Sequence, residues 1–165
     1  MRNTQIFKTL VDALYVLHFL GLIGMVFIIP YGTFKINQTE MKIEDLNVFY
    51  WLLATFSLIA YIIFLRGLYY LRIVARFLLS NEYFSGKTIT NLKNSGNHFL
   101  ITGIISFGLL AAFSLNTLTD GSLNINYDAN FMIPFFLAII GMFFIIQANT
   151  LALARKIKEE NELTI

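Results

Sequence analysis

The amino-acid sequence predicts an all-α integral membrane protein, a bundle of four transmembrane helices with both termini in the cytoplasm. Two observations carry this prediction: four apolar stretches long enough to span a bilayer, and basic residues concentrated on one side of them. The composition agrees, since 57% of the 165 residues are hydrophobic and only 13% are charged, against about 25% charged in a soluble domain. Four spans take up most of the chain, so residues 1–165 are predicted to form a single membrane domain.

The four apolar stretches lie at residues 10–29, 48–65, 99–115 and 131–153. Each is close to the ~20 residues that cross a hydrocarbon core of ~30 Å. The first stretch is interpreted as a retained helix and not as a cleaved signal peptide. Its apolar run is too long for a signal peptide, and it reaches Pro30 without a small-x-small cleavage site.

The basic residues predict how the chain is threaded. Ten of the 12 Lys and Arg residues lie at the N-terminus, between spans two and three, or in the C-terminal tail. Only Lys35 and Lys42 lie in the other two connections. Because short loops rich in Lys and Arg stay in the cytoplasm, both termini and the middle connection are predicted to be cytoplasmic. Trp51 and Tyr127, at the opposite ends of the spans, fit an aromatic belt at the outer interface.

The middle connection has a helical pattern of its own. Arg72 and Arg76 share one face at i,i+4. An apolar stripe is predicted at Leu71, Val74, Leu78 and Leu79. A turn is predicted at residues 80–82, with Ser85 as the N-cap of the next helix. Helices two and three are therefore predicted to extend into the cytoplasm as an antiparallel helical hairpin. The alternative is that residues 66–97 lie flat on the membrane as interfacial helices.

The two outer connections contain strand-like segments. Residues 33–36 and 122–127 alternate polar and apolar side chains, which is the period of a β-strand. The hypothesis is that these two segments pair and cover the outer end of the bundle. An isolated pair of strands is marginal in water.

Six polar side chains lie at similar depth in the inner half of the spans, and all four helices contribute to this polar layer. Its members are His18, Tyr61, Thr102, Ser106, Gln147 and Asn149. Polar groups in lipid cost free energy unless they find partners, so each is a functional candidate. One interpretation is a site for small-ligand binding or transport that opens toward the cytoplasm. The other is interhelical hydrogen bonding that sets helix register, at about 0.6 kcal/mol per interaction.

Small residues predict where helices pack closely. Gly108 with Ala112, and Ala148 with Ala152, are small-xxx-small pairs that let backbones approach. The contact can lie within one chain or between copies in a homo-oligomer, and the pattern does not choose between them.

Motifs for catalysis or cofactor binding are missing from the sequence. It has no Cys, no H-E-x-x-H, no G-x-S-x-G and no glycine-rich phosphate loop. His18 and His98 lie on different helices at different depths. No catalytic residue, metal or cofactor is therefore predicted, and a membrane enzyme is the weakest functional alternative. The net charge of +2 is too small to predict direct nucleic-acid binding.

The C-terminal tail is predicted to extend helix four with charged residues. Three ion pairs at i,i+4 are predicted there: Arg155 with Glu159, Lys156 with Glu160, and Lys158 with Glu162. They extend helix four to about Asn161.

Two segments resemble a known family. One is the ending Lys158-Glu159-Glu160-Asn161-Glu162-Leu163-Thr164-Ile165, and the other is Tyr83-Phe84-Ser85 followed by Asn91-Leu92-Lys93 and Gly96. Both are similar to an uncharacterised bacterial family of four-span membrane proteins, domain-of-unknown-function family 2975. The resemblance implies a location in the bacterial cytoplasmic (inner) membrane. Members are often encoded beside a small helix-turn-helix regulator, which implies a cytoplasmic protein partner.

The leading hypothesis is a non-enzymatic membrane protein that senses or sequesters such a regulator. Its partner surface is predicted on the hairpin and tail, the sizeable surfaces outside the lipid. The predicted residues are Arg72, Arg76, Tyr83, Phe84, Lys87, Lys93, Arg155, Lys158, Glu159, Glu160 and Glu162.

Overall fold

The computed structural model describes residues 2–28, 33–36, 39–42, 48–119 and 132–162. They form four α-helices and one β-hairpin: α1 Arg2–Ile28, β1 Thr33–Ile36, β2 Thr39–Lys42, α2 Val48–Leu79, α3 Gly86–Thr119 and α4 Met132–Glu162. Each helix is long and apolar enough to cross a membrane, so the predicted four-span character is confirmed. Because the helices span the membrane, their outer surface contacts the lipid bilayer.

The helices are longer than the apolar stretches that predict them. α2 has 32 residues and α3 has 34, which at 1.5 Å per residue is about 48–51 Å. A hydrocarbon core is only ~30 Å thick. α2 continues without a break from the apolar stretch through Arg72 and Arg76, and α3 begins at Gly86, well before its own apolar stretch.

Each helix packs mainly on the next one along the chain: α1 on α2, α2 on α3 and α3 on α4. At one end of the molecule α1 and α3 begin and α2 and α4 end, and this end is called the basic end here. The core lies toward the basic end. Its buried residues are Val11, Leu65, Leu68, Leu71 and Phe99, with a second group of Val74, Leu92 and Ala148. Away from the core, large side chains such as Leu17 (67% exposed) and Phe136 (66% exposed) form the surface expected to face lipid.

α3 and α4 approach each other through glycines. A Cβ added at Gly141 would lie 2.5 Å from the Leu100 nitrogen and 2.7 Å from the Gly96 oxygen. One added at Gly103 would lie 2.7 Å from the Pro134 oxygen. Backbone therefore meets backbone, and no side chain fits between them.

The predicted small-residue pairs mark this contact only in part. Ala148 is fully buried, but Ala152 is exposed. A Cβ added at Gly108 would have nothing within 4 Å among the described residues, so within that part of the chain no close helix contact is found at Gly108. Contact between copies through this face stays a prediction.

The turn between α2 and α3 has the predicted chemistry. Asn81 has a positive φ of 61°, a conformation that Asn tolerates better than most residues. The Ser85 hydroxyl accepts a hydrogen bond from the Thr88 N–H at 3.1 Å, so Ser85 is confirmed as the N-cap. In the predicted apolar stripe, Leu71 and Val74 are buried. Leu79 is 38% exposed because it lies at the last residue of α2, where the turn begins.

The strand-like segment at residues 33–36 is a strand, and its described partner is β2. The two strands are antiparallel, with Thr33 opposite Lys42 and Ile36 opposite Thr39. The hypothesis that residues 33–36 pair with residues 122–127 falls on a segment outside the described residues. Within the described residues, the first outer connection forms a hairpin on its own.

Candidate functional site

A cleft of about 520 Å³ lies among the four helices. It is called the four-helix cleft here, and its lining residues are His18, Leu53, Ser57, Ala60, Tyr61, Phe64, Thr102, Ser106, Leu109, Leu110, Phe113, Ile133 and Leu137. α2 and α4 each pack on α3 and make little contact with each other, so the cleft lies over α3 between them. Its size is in the range of small-molecule sites.

Four of the six residues predicted for the polar layer line this cleft: His18, Tyr61, Thr102 and Ser106. They come from three helices, which supports the idea that similar depth on different helices brings polar groups together. Toward the other end of the cleft the lining is apolar, with Leu53, Phe113 and Ile133. The four-helix cleft is therefore amphiphilic along its length.

His18 is held by hydrogen bonds on both its ring and its backbone. Its Nδ1 lies 2.8 Å from the Leu14 oxygen, and because a carbonyl only accepts, Nδ1 carries the proton. The Tyr61 hydroxyl donates to the His18 oxygen at 3.0 Å, which links α2 to α1. The ring also packs edge-on against Phe64, with the centroids 5.2 Å apart. In the neutral ring, Nε2 is left as a hydrogen-bond acceptor.

The hydroxyl groups of the cleft differ in how they are used. Thr102 donates to the His98 oxygen of its own helix at 2.8 Å. Among the described residues, no hydrogen bond is found for the side chains of Ser57 and Ser106. Ser57 is a cleft residue that the sequence prediction misses, because the prediction covers only the inner half of each span. The signal that could have found it is spacing, since Ser57 and Tyr61, like Thr102 and Ser106, share a helix face at i,i+4.

Gln147 and Asn149 do not belong to the four-helix cleft, so this part of the polar-layer prediction is wrong. Both side chains are exposed, on either side of the fully buried Ala148. Consecutive helical residues point about 100° apart at 3.6 residues per turn. Similar depth therefore does not place a residue on the face that meets the other helices.

An ion-pair cluster joins α1 to α2 near the basic end. Asp12 Oδ1 accepts a hydrogen bond from Arg72 Nε at 2.5 Å, and Asp12 Oδ2 lies 3.0 Å from Lys8 Nζ. The Arg72 guanidinium also sits 5.3 Å from the centre of the Tyr15 ring. Arg72 is thus occupied inside the protein, which corrects its assignment to the partner surface.

A second hollow, of about 380 Å³, lies at the basic end. It is called the end face here, and its residues are Phe84, Ser85, Gly86, Arg155, Lys158, Glu159 and Glu162. It joins the turn before α3 to the last turns of α4. The approach is close, since a Cβ at Gly86 would lie 2.7 Å from Arg155 Nη1. Two segments that the sequence presents as separate parts of the partner surface therefore meet.

All three predicted ion pairs of the tail are confirmed. The pairs are Arg155–Glu159 at 2.7 Å, Lys156–Glu160 at 3.8 Å and Lys158–Glu162 at 3.7 Å. Of the other predicted partner residues, Arg76, Tyr83, Lys87 and Lys93 are exposed, but they do not line the end face. No group of three or more His, Asp or Glu side chains that could hold a metal occurs in the part of the chain that the structure describes.

Comparison with known proteins places the chain in a family. Residues 34–165 match the model of a family described as "Protein of unknown function (DUF2975)". No curated protein and no solved structure matches the chain. The family match covers α2, α3, α4 and the β-hairpin, apart from Thr33. Since the matched residues make up well over half of the chain, this protein belongs to the DUF2975 family.

Proposed function

We propose that this protein is a non-enzymatic protein of the bacterial inner membrane that binds a small cytoplasmic helix-turn-helix regulator on its end face. Binding there would hold the regulator at the membrane and away from DNA. The observation that carries the proposal is that the turn before α3 and the end of α4 form one continuous hollow, with Phe84 beside Arg155 and Glu162.

The charges around the basic end support a cytoplasmic orientation for this surface. The start of α1, the end of α2, the start of α3 and the end of α4 carry ten of the 12 basic residues. The positive-inside rule predicts the cytoplasm for such an end. In this proposal α2 and α3 project past the lipid as a helical hairpin, because both are far longer than the bilayer core requires.

The chemistry of the end face favours a protein partner over the lipid surface. Phe84 is 45% exposed and supplies an aromatic anchor of the kind enriched in protein interfaces. Lys158 and Glu162 present both signs of charge in one hollow. An anionic lipid surface attracts basic residues alone, whereas mixed charge gives specificity between proteins.

The test exchanges charges within one ion pair. The double variant K158E/E162K keeps an i,i+4 pair in α4 but reverses the charge pattern of the end face. We expect it to weaken binding of the purified regulator encoded beside this gene by about tenfold, measured by titration onto the full chain in nanodiscs. The matched control K156E/E160K makes the same exchange outside the end face and should bind normally.

Two results would count against the proposal. One is that no helix-turn-helix regulator encoded beside the gene binds the wild-type protein. The other is that both exchanges weaken binding equally, since the effect would then reflect overall charge and not the end face.

A further inference from the structure

The four-helix cleft carries an inference that is independent of the end face. We propose that it binds a neutral, lipid-soluble alcohol: a molecule with an apolar body and one hydroxyl group, taken up from the bilayer. The proposal rests on the hydrogen-bonding groups of the cleft, on their position along it and on where the cleft opens. It goes beyond the proposed regulator binding and does not depend on it.

The polar groups of the cleft favour an uncharged ligand. Within the part of the chain that the structure describes, the lining of the cleft includes no Asp, Glu, Lys or Arg. With His18 neutral, an ionised ligand would lose its hydration in an apolar surrounding without gaining a counter-charge, at a high cost in free energy. A carboxylate or an ammonium head group fits this cleft poorly.

A ligand hydroxyl group matches the hydrogen-bonding groups of the lining that have no partner within the described residues. The proton on Nδ1 of His18 is engaged by the Leu14 oxygen, so Nε2 is available to accept a hydrogen bond. Ser106 lines the same cleft with no hydrogen bond among the described residues, so its hydroxyl can donate. A ligand hydroxyl both donates and accepts, and one such group can satisfy both side chains.

The long axis of the cleft orients the apolar body. His18, Tyr61 and Thr102 lie at its polar end. Leu53, at the apolar end, lies eight positions before Tyr61 on α2, which is about 12 Å along the helix axis. A decyl chain has about this length. The cleft is partly open, and its lining lies on helices apolar enough to span a membrane, so in this proposal the ligand enters from the lipid.

The test uses four ten-carbon compounds, three with different head groups and one with none. The full-length protein in nanodiscs is photolabelled with a diazirine derivative of 1-decanol, and the labelled residues are mapped by mass spectrometry. Unlabelled 1-decanol, decane, decanoate and decylamine then compete. We expect labelling of the cleft residues, and competition by 1-decanol at least about tenfold stronger than by the other three.

The variant H18F tests whether 1-decanol binds through a hydrogen bond to His18 or only by filling the cleft. H18F removes the Nε2 acceptor but keeps an aromatic ring, and the Tyr61 hydroxyl still has its partner because that partner is the backbone oxygen. We expect 1-decanol to compete about three- to tenfold more weakly, because one hydrogen bond contributes about that much to binding. Competition by decane should not change. The control Q147L changes a polar side chain outside the cleft and should leave both unchanged. The thermal unfolding of both variants reports whether the fold is kept.

Three outcomes would overturn the proposal. Equal competition by decane would mean that the cleft holds any lipid acyl chain. Stronger competition by decanoate or decylamine would mean a charged ligand. Labelling spread over the lipid-facing surface, with none in the cleft, would mean that the cleft is not a site. None of these outcomes bears on regulator binding, which the end-face variants test separately.

Discussion

At the scale of single residues, contacts inside the protein determine which polar side chains are available to bind a partner. The sequence places Arg72 on the partner surface because it lies on the predicted cytoplasmic hairpin. In the structure it bonds to Asp12 at 2.5 Å and lies over Tyr15, so it fastens α2 to α1. In the sequence, Asp12 is an isolated acid at the edge of a span. Neither role can be read from the sequence, because 60 positions separate the two residues.

We predict a measurable coupling between Asp12 and Arg72. Their side chains are only 23% and 28% exposed, so water screens their attraction less than it does at the surface. A double-mutant cycle of D12N and R72M, read by unfolding in detergent micelles, should give a coupling of about 1 kcal/mol. The cycle K156M/E160Q is the control. That pair is 73% and 64% exposed and should show no coupling. Equal coupling in both cycles would contradict a special role for the Asp12–Arg72 pair.

At the scale of the elements, the sequence predicts helices well and their faces poorly. The turn at residues 80–82, the Ser85 cap and the three tail ion pairs are predictable because each depends on residues at most four positions apart. The contact between α3 and α4 at Gly103 and Gly141 is not. A glycine in an apolar helix has no distinguishing pattern until its partner backbone is known.

Two identical substitutions test the α3–α4 contact. G141A should destabilise the protein by about 1–3 kcal/mol, because the new methyl group would overlap the backbone at Leu100 and Gly96. G108A adds the same methyl group where no described residue lies within 4 Å. It should be neutral or slightly stabilising, since alanine favours helix over glycine. Thermal unfolding of both variants in one detergent makes the comparison, and similar losses would show that the close approach is not what matters.

At the scale of the whole molecule, the asymmetric charge has two consequences. By the positive-inside rule it predicts the orientation of the chain in the membrane, and it places basic residues at the end face. The four-helix cleft lies on the helices between that end and the outer connections. The two proposals therefore concern separate sites: a neutral molecule is proposed for the four-helix cleft and a protein partner for the end face.

The orientation can be tested cleanly because the chain has no Cys. Single-cysteine variants T90C on α3 and K156C on α4 should resist a membrane-impermeant maleimide in intact cells and react after permeabilisation. Both sites are exposed in the structure. Q38C, in the connection between α1 and α2, should react in intact cells. The reverse pattern would place the basic end outside and remove the basis for a cytoplasmic partner.

The number of spans and the end of the bundle that carries the basic residues follow from the sequence alone. Each of these properties depends on composition summed over about 20 residues, so it does not depend on which way any single side chain points around the helix axis. Which polar side chains meet is a different kind of property. His18 and Tyr61 share the four-helix cleft, but Gln147 at similar predicted depth is outside it, because the rotation of each helix about its axis is set by its neighbours. Only the packing of α1 to α4 on one another decides that rotation, and with it both candidate sites.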